Sequence, residues 1–190
     1  MDFNAIIAKR RSVRAFKTKA AGWRDIVEAV DAARTIPLSG NTTTLRFLIV
    51  MEPDKIAKLA EFAEQNWIAD ASIVVAVCSD ETLLEKAYGE RGRVYSRQQA
   101  GAAIQTFLLA IINQGLGACW VGAYNDSKVR RLLDIPENIQ IEALIPVGYA
   151  KAQPTPKYKR SLKNLMYWER WGKAEIPSFF REHSLTEERR

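Results

Sequence analysis

The sequence predicts a sheet sandwiched between helices, of the α/β or α+β class. Candidate strands alternate with candidate helices along the chain, which is the order that such folds produce. Residues 73–77 form a continuous apolar, mostly β-branched run, typical of a buried central strand. Residues 96–112 are apolar on nearly every side at helical spacing, which predicts a helix buried on most sides. In a chain of 190 residues, we expect part of that helix to be buried against another subunit.

The first third of the chain contains three further helices, one extended stretch and one strand. Their signals are N-caps, apolar spacing and turn residues. In order, they are a short helix capped by Asp2, an extended stretch at 10–14, a helix at 22–34, a polar loop at 37–44, a strand at 45–51 and a helix opened by Pro53 and reaching about residue 63.

The remainder continues the alternation on both sides of the helix at 96–112. Residues 81–97 are charged, are interrupted by Gly89 and Gly92, and are expected to be exposed. After the helix come Gly115 as its end, a short strand or loop at 118–122, a helix from Asp126 to 133 and a strand at 142–149. The tail from Gln153 has too few apolar residues for its own core, so we expect it to lie along the body or a partner.

Composition narrows the class of protein. With 47% hydrophobic residues, the chain suits one domain, predicted at 1–171, followed by a charged tail at 172–190. No signal peptide or bilayer-length apolar stretch is evident, so a cytoplasmic protein without membrane contact is expected. Cys78 and Cys119 show no metal or redox spacing and are predicted to be buried thiols. His183 is the single histidine, which argues against histidine acid/base chemistry and histidine metal sites.

The net charge of +6 and the pI of about 9.4 favour anionic partners. Much of the excess lies at 9–19 and 151–170, two clusters that either meet around one anionic group or form solvated faces. Nucleic acid is disfavoured, because the aromatic residues are scattered among apolar segments rather than interleaved with Lys and Arg.

The extended stretch at 10–14 places its side chains alternately on two sides. Arg10, Ser12 and Arg14 share one side, and Arg11 and Val13 share the other. Two guanidinium groups and a hydroxyl on one side suit a phosphate, because arginine offers forked donors to its oxygens.

Five segments complete the sequence evidence. They are RRSVRAF at 10–16, PLSGN at 37–41 followed by LRFLIV at 45–50, the stretch 100–122 ending in GLGACWVG, LIPVGY at 144–149, and KRSL at 159–162. In this order they resemble the motifs of the nitroreductase family of FMN enzymes, over residues 3 to about 171.

The resemblance implies an α+β fold with a central, mostly antiparallel sheet flanked by helices. It implies a homodimer with FMN at the subunit interface and a C-terminal extension that wraps the partner subunit. The implied reaction passes a hydride from NAD(P)H via FMN to an electrophilic small molecule (a nitroaromatic, quinone or enone) by a ping-pong mechanism, with no metal and no side-chain acid or base. The alternative is a non-catalytic or functionally diverged flavin-binding protein.

The resemblance also implies roles for particular residues. Arg10, Arg11, Ser12 and Arg14 would bind the FMN phosphate and ring edge, joined at the phosphate by Lys159 and Arg160. Ser39, Gly40, Asn41 and Thr43 would lie against the flavin, often from the partner subunit. The backbone of Val121 and Gly122 would face the flavin, with the Val121 N–H bonded to N5.

Four positions depart from the family pattern. Thr43 and Thr44 stand where Gln-Pro is frequent, Gln99 where Asp is common, and Thr106 where Asn commonly follows the Gln. Thr43 can make a hydrogen bond but cannot span a flavin edge as an amide does.

Overall fold

A computed structural model describes residues 2–155 and 158–176. The chain divides into two compact units, of which the first ends at Pro154 and the second starts at Thr155. The sequence-based domain boundary at residue 171 stays a prediction. His183 lies outside the described residues.

The first unit is built on a four-stranded sheet in which every paired strand is antiparallel to its neighbour. This confirms the predicted central, mostly antiparallel sheet. The strand order is β1-β2-β4-β3, so β2 and β4 are the inner strands. The strands are β1 (Leu45–Val50), β2 (Ile73–Asp80), β3 (Gly117–Ala118) and β4 (Ile139–Gly148).

Six α-helices accompany this sheet in the described part of the chain. Helices α2 and α5 cover one face and α3 and α6 the other, so the sheet is a middle layer. None of the described helices is both long and apolar enough to cross a membrane. The helices are α1 (Phe3–Lys9), α2 (Trp23–Ala33), α3 (Pro53–Phe62), α4 (Thr82–Tyr88), α5 (Glu90–Asn113) and α6 (Asp126–Leu132).

Strand β2 shows why the sheet has two cores. Its residues point alternately to the two faces: Ile73, Val75 and Val77 join the core under α2 and α5, while Val74 and Ala76 join the core under α3 and α6. All five are fully buried. The β-branched run therefore is the buried central strand that the sequence predicted.

Helix α5 begins at Glu90, six residues before the predicted start. Gly92 lies inside it and is buried, and a Cβ there would sit 2.1 Å from the Leu84 carbonyl oxygen of α4. The glycine therefore permits a close crossing of two helices instead of interrupting one. Arg91 and Arg93 are exposed as predicted. Gly89, with a φ of 60°, does interrupt the segment, between α4 and α5, whereas Gly92 does not.

One chain covers only part of α5. The face around Ala103, Ile104 and Phe107 is fully buried against the sheet and α2. Ala102 and Leu109 on the other side remain half-buried. Additional packing area on this helix is consistent with the expectation of a second subunit, which stays a prediction.

The second unit has little internal packing in its described residues. None of the described residues from Thr155 to Ile176 is buried, in agreement with the predicted lack of a separate core. Tyr167 and Trp171 meet edge to face, 4.9 Å between ring centres, and Trp171 is 92% exposed.

A buried carboxylate lies where β2 and β4 pair. Glu142 accepts a hydrogen bond from the Ser79 hydroxyl, and the Arg97 guanidinium lies 3.4 Å from it. The Glu142 side chain is only 8% exposed. Burial raises the pKa of Glu142 above its ordinary value of 4.5, opposed by the Ser79 hydrogen bond and the Arg97 charge.

This pKa shift predicts a pH dependence of stability. Because the folded state holds the Glu142 proton more tightly than the unfolded state, the contribution of Glu142 to stability falls as the pH rises from about 4.5 through the raised pKa. Glu142→Gln, which does not titrate, should lack this loss. Urea unfolding of both proteins at several pH values measures the difference, which should move in favour of Glu142→Gln as the pH increases. A difference that is constant with pH would contradict the assignment.

Candidate active site

The N-terminal segment docks along the short edge strand β3. Ser12 pairs with Ala118, and the Val13 N–H donates to the Ala118 carbonyl oxygen at 3.0 Å. Val13 is buried at 2% exposure and packs over Gly117, where a Cβ would lie 2.7 Å from its Cγ2. The close approach of this segment therefore requires glycine at position 117.

The segment is anchored again further along. The Lys17 N–H donates to the Tyr149 carbonyl oxygen at 2.8 Å, and the Lys151 N–H donates to the Ala15 carbonyl oxygen at 2.9 Å. Phe16 is 1% exposed and lies against Gly148, where a Cβ would meet its ring at 3.0 Å. Backbone bonds and two buried side chains thus fix the segment that carries the predicted phosphate ligands.

Arg10, Ser12 and Arg14 act on one common neighbour, the Cys119 thiol. Burial raises the pKa of Cys119, while the Arg14 charge, a hydrogen bond from Ser12 and the Arg10 charge lower it. All three residues thus influence Cys119, and their common position on one side of the segment stays a prediction. Val13 is buried.

Arg11 has a different environment from its neighbours. Its guanidinium is half-buried and donates to the Arg10 carbonyl oxygen at 2.8 Å. The Arg14 guanidinium instead lies 5.9 Å from the centre of the Trp67 ring. A direct role for Arg11 at a phosphate stays a prediction. Because its guanidinium is already bonded, a contact through its backbone is favoured.

The backbone after Cys119 differs from the expectation for the Val121 N–H. The Val121 N–H donates to the Leu144 carbonyl oxygen at 2.9 Å, and the Leu144 N–H returns a bond of 3.0 Å. The prediction that this N–H bonds a flavin is therefore wrong, because the sheet uses it. In the described part of the chain, no residue accepts from the Gly122 N–H, and a Cβ at Gly122 would meet nothing within 4 Å. The backbone N–H without an acceptor is therefore that of Gly122, one residue after Val121, the predicted donor.

The turn at Ser39–Asn41 has an unusual backbone. Gly40 and Asn41 both have positive φ, 56° and 52°. A Cβ on Gly40 would lie 2.7 Å from the Tyr88 hydroxyl. The Asn41 side chain is exposed, and its amide is thus accessible to a ligand.

The threonines after the turn have structural contacts. Thr43 is exposed and its hydroxyl accepts from the Leu45 N–H at 3.4 Å. Thr44 is 1% exposed and accepts from the Ser96 hydroxyl at 3.0 Å. Thr44 therefore ties the turn to α5.

Sequence reasoning missed Ser96 and Gln99 as part of this arrangement. Both are buried polar residues, and Gln99, with its amide oriented to match its neighbours, bonds the turn on both sides. The available signal was spacing: Ser96 and Gln99 fall on the same helical stripe as Ala103 and Phe107. A polar residue on such a stripe requires a buried partner.

Lys159 and Arg160 belong to the second unit, and both are exposed. Their predicted participation at the phosphate stays a prediction. In the described part of the chain, no cluster of His, Cys, Asp and Glu residues suits a metal ion.

The comparisons with known proteins identify the family. The model of the nitroreductase family matches residues 7–71 and 59–149. A protein of Archaeoglobus fulgidus, provisionally named an NADH dehydrogenase/NAD(P)H nitroreductase, is 30% identical over 151 residues, which cover 77% of this chain and 84% of that protein.

The chain belongs to the nitroreductase family. A solved nitroreductase family protein from Streptococcus pneumoniae has the same fold with a TM-score of 0.80 at 24% identity, covering 88% of this chain and 100% of that one. The Vibrio harveyi NADPH:FMN oxidoreductase, solved in complex with NAD+, also has a TM-score of 0.80 at 20% identity, covering 90% of this chain and 78% of that one. The segment that resembles the family's opening motif packs on the edge strand β3.

The packing of this segment gives a prediction. Gly117→Ala should destabilise the fold by about 1–3 kcal/mol, because its Cβ would overlap Val13. Gly117→Ala/Val13→Ala should recover part of that loss, whereas Val13→Ala alone leaves a cavity. Thermal and urea unfolding of the three variants measure this. Purely additive losses would show that the two residues do not compete for the same space.

Proposed function

We propose that this protein is an FMN-dependent oxidoreductase that passes a hydride from NAD(P)H via FMN to an electrophilic acceptor in a ping-pong reaction. The acceptor class is a nitroaromatic, a quinone or an enone. The observations that support the proposal are the docked segment 10–14, whose Arg10, Ser12 and Arg14 all act on the Cys119 thiol, and the Gly122 N–H, which has no acceptor among the described residues. Family membership and the fold shared with the Vibrio harveyi NADPH:FMN oxidoreductase support it.

The residues present fit a flavin phosphate. One short docked segment supplies two guanidinium groups and a hydroxyl, and such charge-assisted donors favour a dianionic group. Arg10, Ser12 and Arg14 would hold the phosphate, with Lys159 and Arg160 of the second unit adding charge. FMN, when bound, supplies the hydride-transfer chemistry.

The Gly122 N–H suits the reactive edge of the flavin. It has no acceptor among the described residues, and the missing side chain leaves room for a ring. A fixed donor at this edge would orient the ring and stabilise negative charge on it. The protein then needs no side-chain acid or base, and water can supply protons.

We also propose a homodimer whose two chains share each site. Val121 pairs with Leu144 of β4, and the row of paired residues that continues across the sheet from Leu144 ends at Leu48 of β1. The path from Val121 to Leu48 crosses three strand spacings of about 4.8 Å each. The turn at 39–41 precedes Leu45, which lies roughly 10 Å from Leu48 along β1. This path along the sheet is longer than one flavin ring system. The proposed dimer therefore supplies the Asn41 of each flavin site from the partner chain.

Exposed apolar side chains support the same dimer. Phe3 and Ile7 on α1 are 68% and 45% exposed, and Trp23 and Val27 on α2 are 51% and 47% exposed. Each pair is spaced i, i+4 and so shares one helix face. A second copy would cover these faces, and the second unit would wrap the partner. Cys78 and Cys119 are buried free thiols, which suits the reducing cytoplasm.

The test is the colour of the purified protein and its response to reductant. The proposed enzyme is yellow, is bleached by NADH or NADPH under nitrogen, and is reoxidised by a quinone or a nitroaromatic. Yellow protein that neither nucleotide bleaches would identify the alternative, a non-catalytic flavin-binding protein. Colourless protein that cannot be reconstituted with FMN would refute flavin binding altogether.

A further inference from the structure

Helix α5 contributes one buried amide to the turn that carries Asn41. Gln99 is 3% exposed. With its amide oriented to match its neighbours, its oxygen accepts from the Ser39 N–H at 3.1 Å and its nitrogen donates to the Thr42 carbonyl oxygen at 3.3 Å. One side chain therefore bonds both ends of the turn.

The turn requires such support because of its backbone. Gly40 and Asn41 are successive left-handed residues, and Asn41 is not a glycine. Asparagine tolerates this region better than other non-glycine residues, but two such residues in succession are sparsely populated and benefit from contacts that fix them. The bonds within the turn are the Asn41 N–H to the Leu38 carbonyl oxygen at 3.3 Å and the Thr42 N–H to the Ser39 carbonyl oxygen at 3.1 Å.

A second contact from α5 fixes the exit of the turn. The Ser96 hydroxyl donates to the Thr44 hydroxyl at 3.0 Å, and the Asp80 N–H donates to the Thr44 carbonyl oxygen at 2.8 Å. Ser96 and Gln99 lie one helical turn apart on α5. The geometry of the turn is therefore set by this helix and by the sheet.

We propose that Gln99 is a positioning residue for the flavin site, which fixes the Ser39–Asn41 turn so that the Asn41 amide is held toward the bound ring. This rests on the proposed FMN function. The role requires an amide, because a carboxylate accepts from the Ser39 N–H but cannot donate to the Thr42 carbonyl oxygen. Glutamine at position 99 thus supplies a two-sided bond that the aspartate common in the family cannot make.

The first measurement follows the turn without cofactor. Gln99→Met keeps the length of the side chain and removes both hydrogen bonds, and Gln99→Glu removes the donor. Gln98→Glu makes the same chemical change at an exposed neighbour and is the matched control. Amide hydrogen exchange of residues 38–43 in the apoprotein should accelerate in both Gln99 variants and remain unchanged in Gln98→Glu. Unchanged exchange in both Gln99 variants would overturn the proposal.

The second measurement asks whether the effect reaches the flavin through Asn41. The Kd for FMN should rise on the order of tenfold in Gln99→Met, as expected for two lost buried hydrogen bonds, with a shifted flavin absorption band. In an Asn41→Ala background, the same Gln99 substitution should change the Kd much less, because the group that it positions is gone. Equal effects in both backgrounds would overturn the positioning role.

Failure of this inference and failure of the proposed function have different signatures. Wild-type protein that binds FMN while Gln99→Met and Gln99→Glu bind it with the same Kd and spectrum overturns the role of Gln99 alone. Wild-type protein that binds no FMN refutes the proposed function and, with it, the flavin role of Gln99.

Discussion

Arg14→Ala is expected to weaken FMN binding by roughly ten- to a hundredfold. The substitution removes a charge-assisted hydrogen bond to the phosphate, and such a bond contributes about 1.5–3 kcal/mol. The fold should be retained, because the Arg14 side chain is exposed and the segment is held by the Val13 N–H and by buried Phe16. Titration of apoprotein with FMN, followed by quenching of flavin fluorescence, measures the change. Arg160→Ala in the second unit should have a similar effect.

Two arginine controls separate phosphate contact from loss of net charge. Arg34→Ala removes one positive charge from an exposed pair with Asp31 and should leave the Kd unchanged. Arg11→Ala should have a smaller effect than Arg14→Ala, because the Arg11 guanidinium bonds the Arg10 carbonyl oxygen. If Arg11→Ala loses FMN while Arg14→Ala binds it normally, the assignment of the two sides of the segment is reversed.

Two variants that each weaken FMN binding are expected to form one intact site when they are combined in one dimer. In a shared site, Arg14 comes from one chain and Asn41 from the other. A hybrid dimer of Arg14→Ala and Asn41→Arg chains then has one site with both substitutions and one site with neither. Differently tagged chains, expressed together and purified through both tags, provide this hybrid. It should bind about one FMN per dimer tightly and have about half of the wild-type activity, as follows from its one intact site.

A site formed within one chain predicts a different result for the hybrid dimer. If both groups served the same site within one chain, each hybrid site would have one defect, and the hybrid would be no better than the average of its parents. Equilibrium sedimentation of holo- and apoprotein adds a second measure, because a shared site couples FMN loss to subunit dissociation. A monomer that holds FMN stoichiometrically at micromolar concentration would contradict the shared site.

Most of the fold was predictable because its signals are local. The run at 73–77 and the apolar stripe of α5 each fix an element from neighbouring residues alone. The start of α5 was not predictable, since Gly92 ordinarily disfavours a helix interior and is explained only by the approach of the Leu84 carbonyl from α4. The upstream half of α5 is thus a consequence of tertiary packing.

The candidate site was predictable to a lesser degree. The alternation of Arg10, Ser12 and Arg14 depends only on an extended backbone, and all three influence the Cys119 thiol in the structure. Which backbone donor remains free at 121–122 depends on pairing with Leu144, more than twenty residues away, and no local pattern contains it. The bonds of Gln99 to Ser39 and Thr42 also join distant segments, so the sequence showed a departure from the family but not its purpose.

The docking of the N-terminal segment has a consequence for biosynthesis. Val13 leaves the ribosome early, but its partner Ala118 is made about 100 residues later, so this contact closes a long loop at an entropic cost that grows with loop length. Until then, Val13 lacks its edge-strand partner, although Phe16 can already meet Trp67 and Ala71. The proposed phosphate ligands are therefore fully organised only late in translation, after the rest of the sheet has formed.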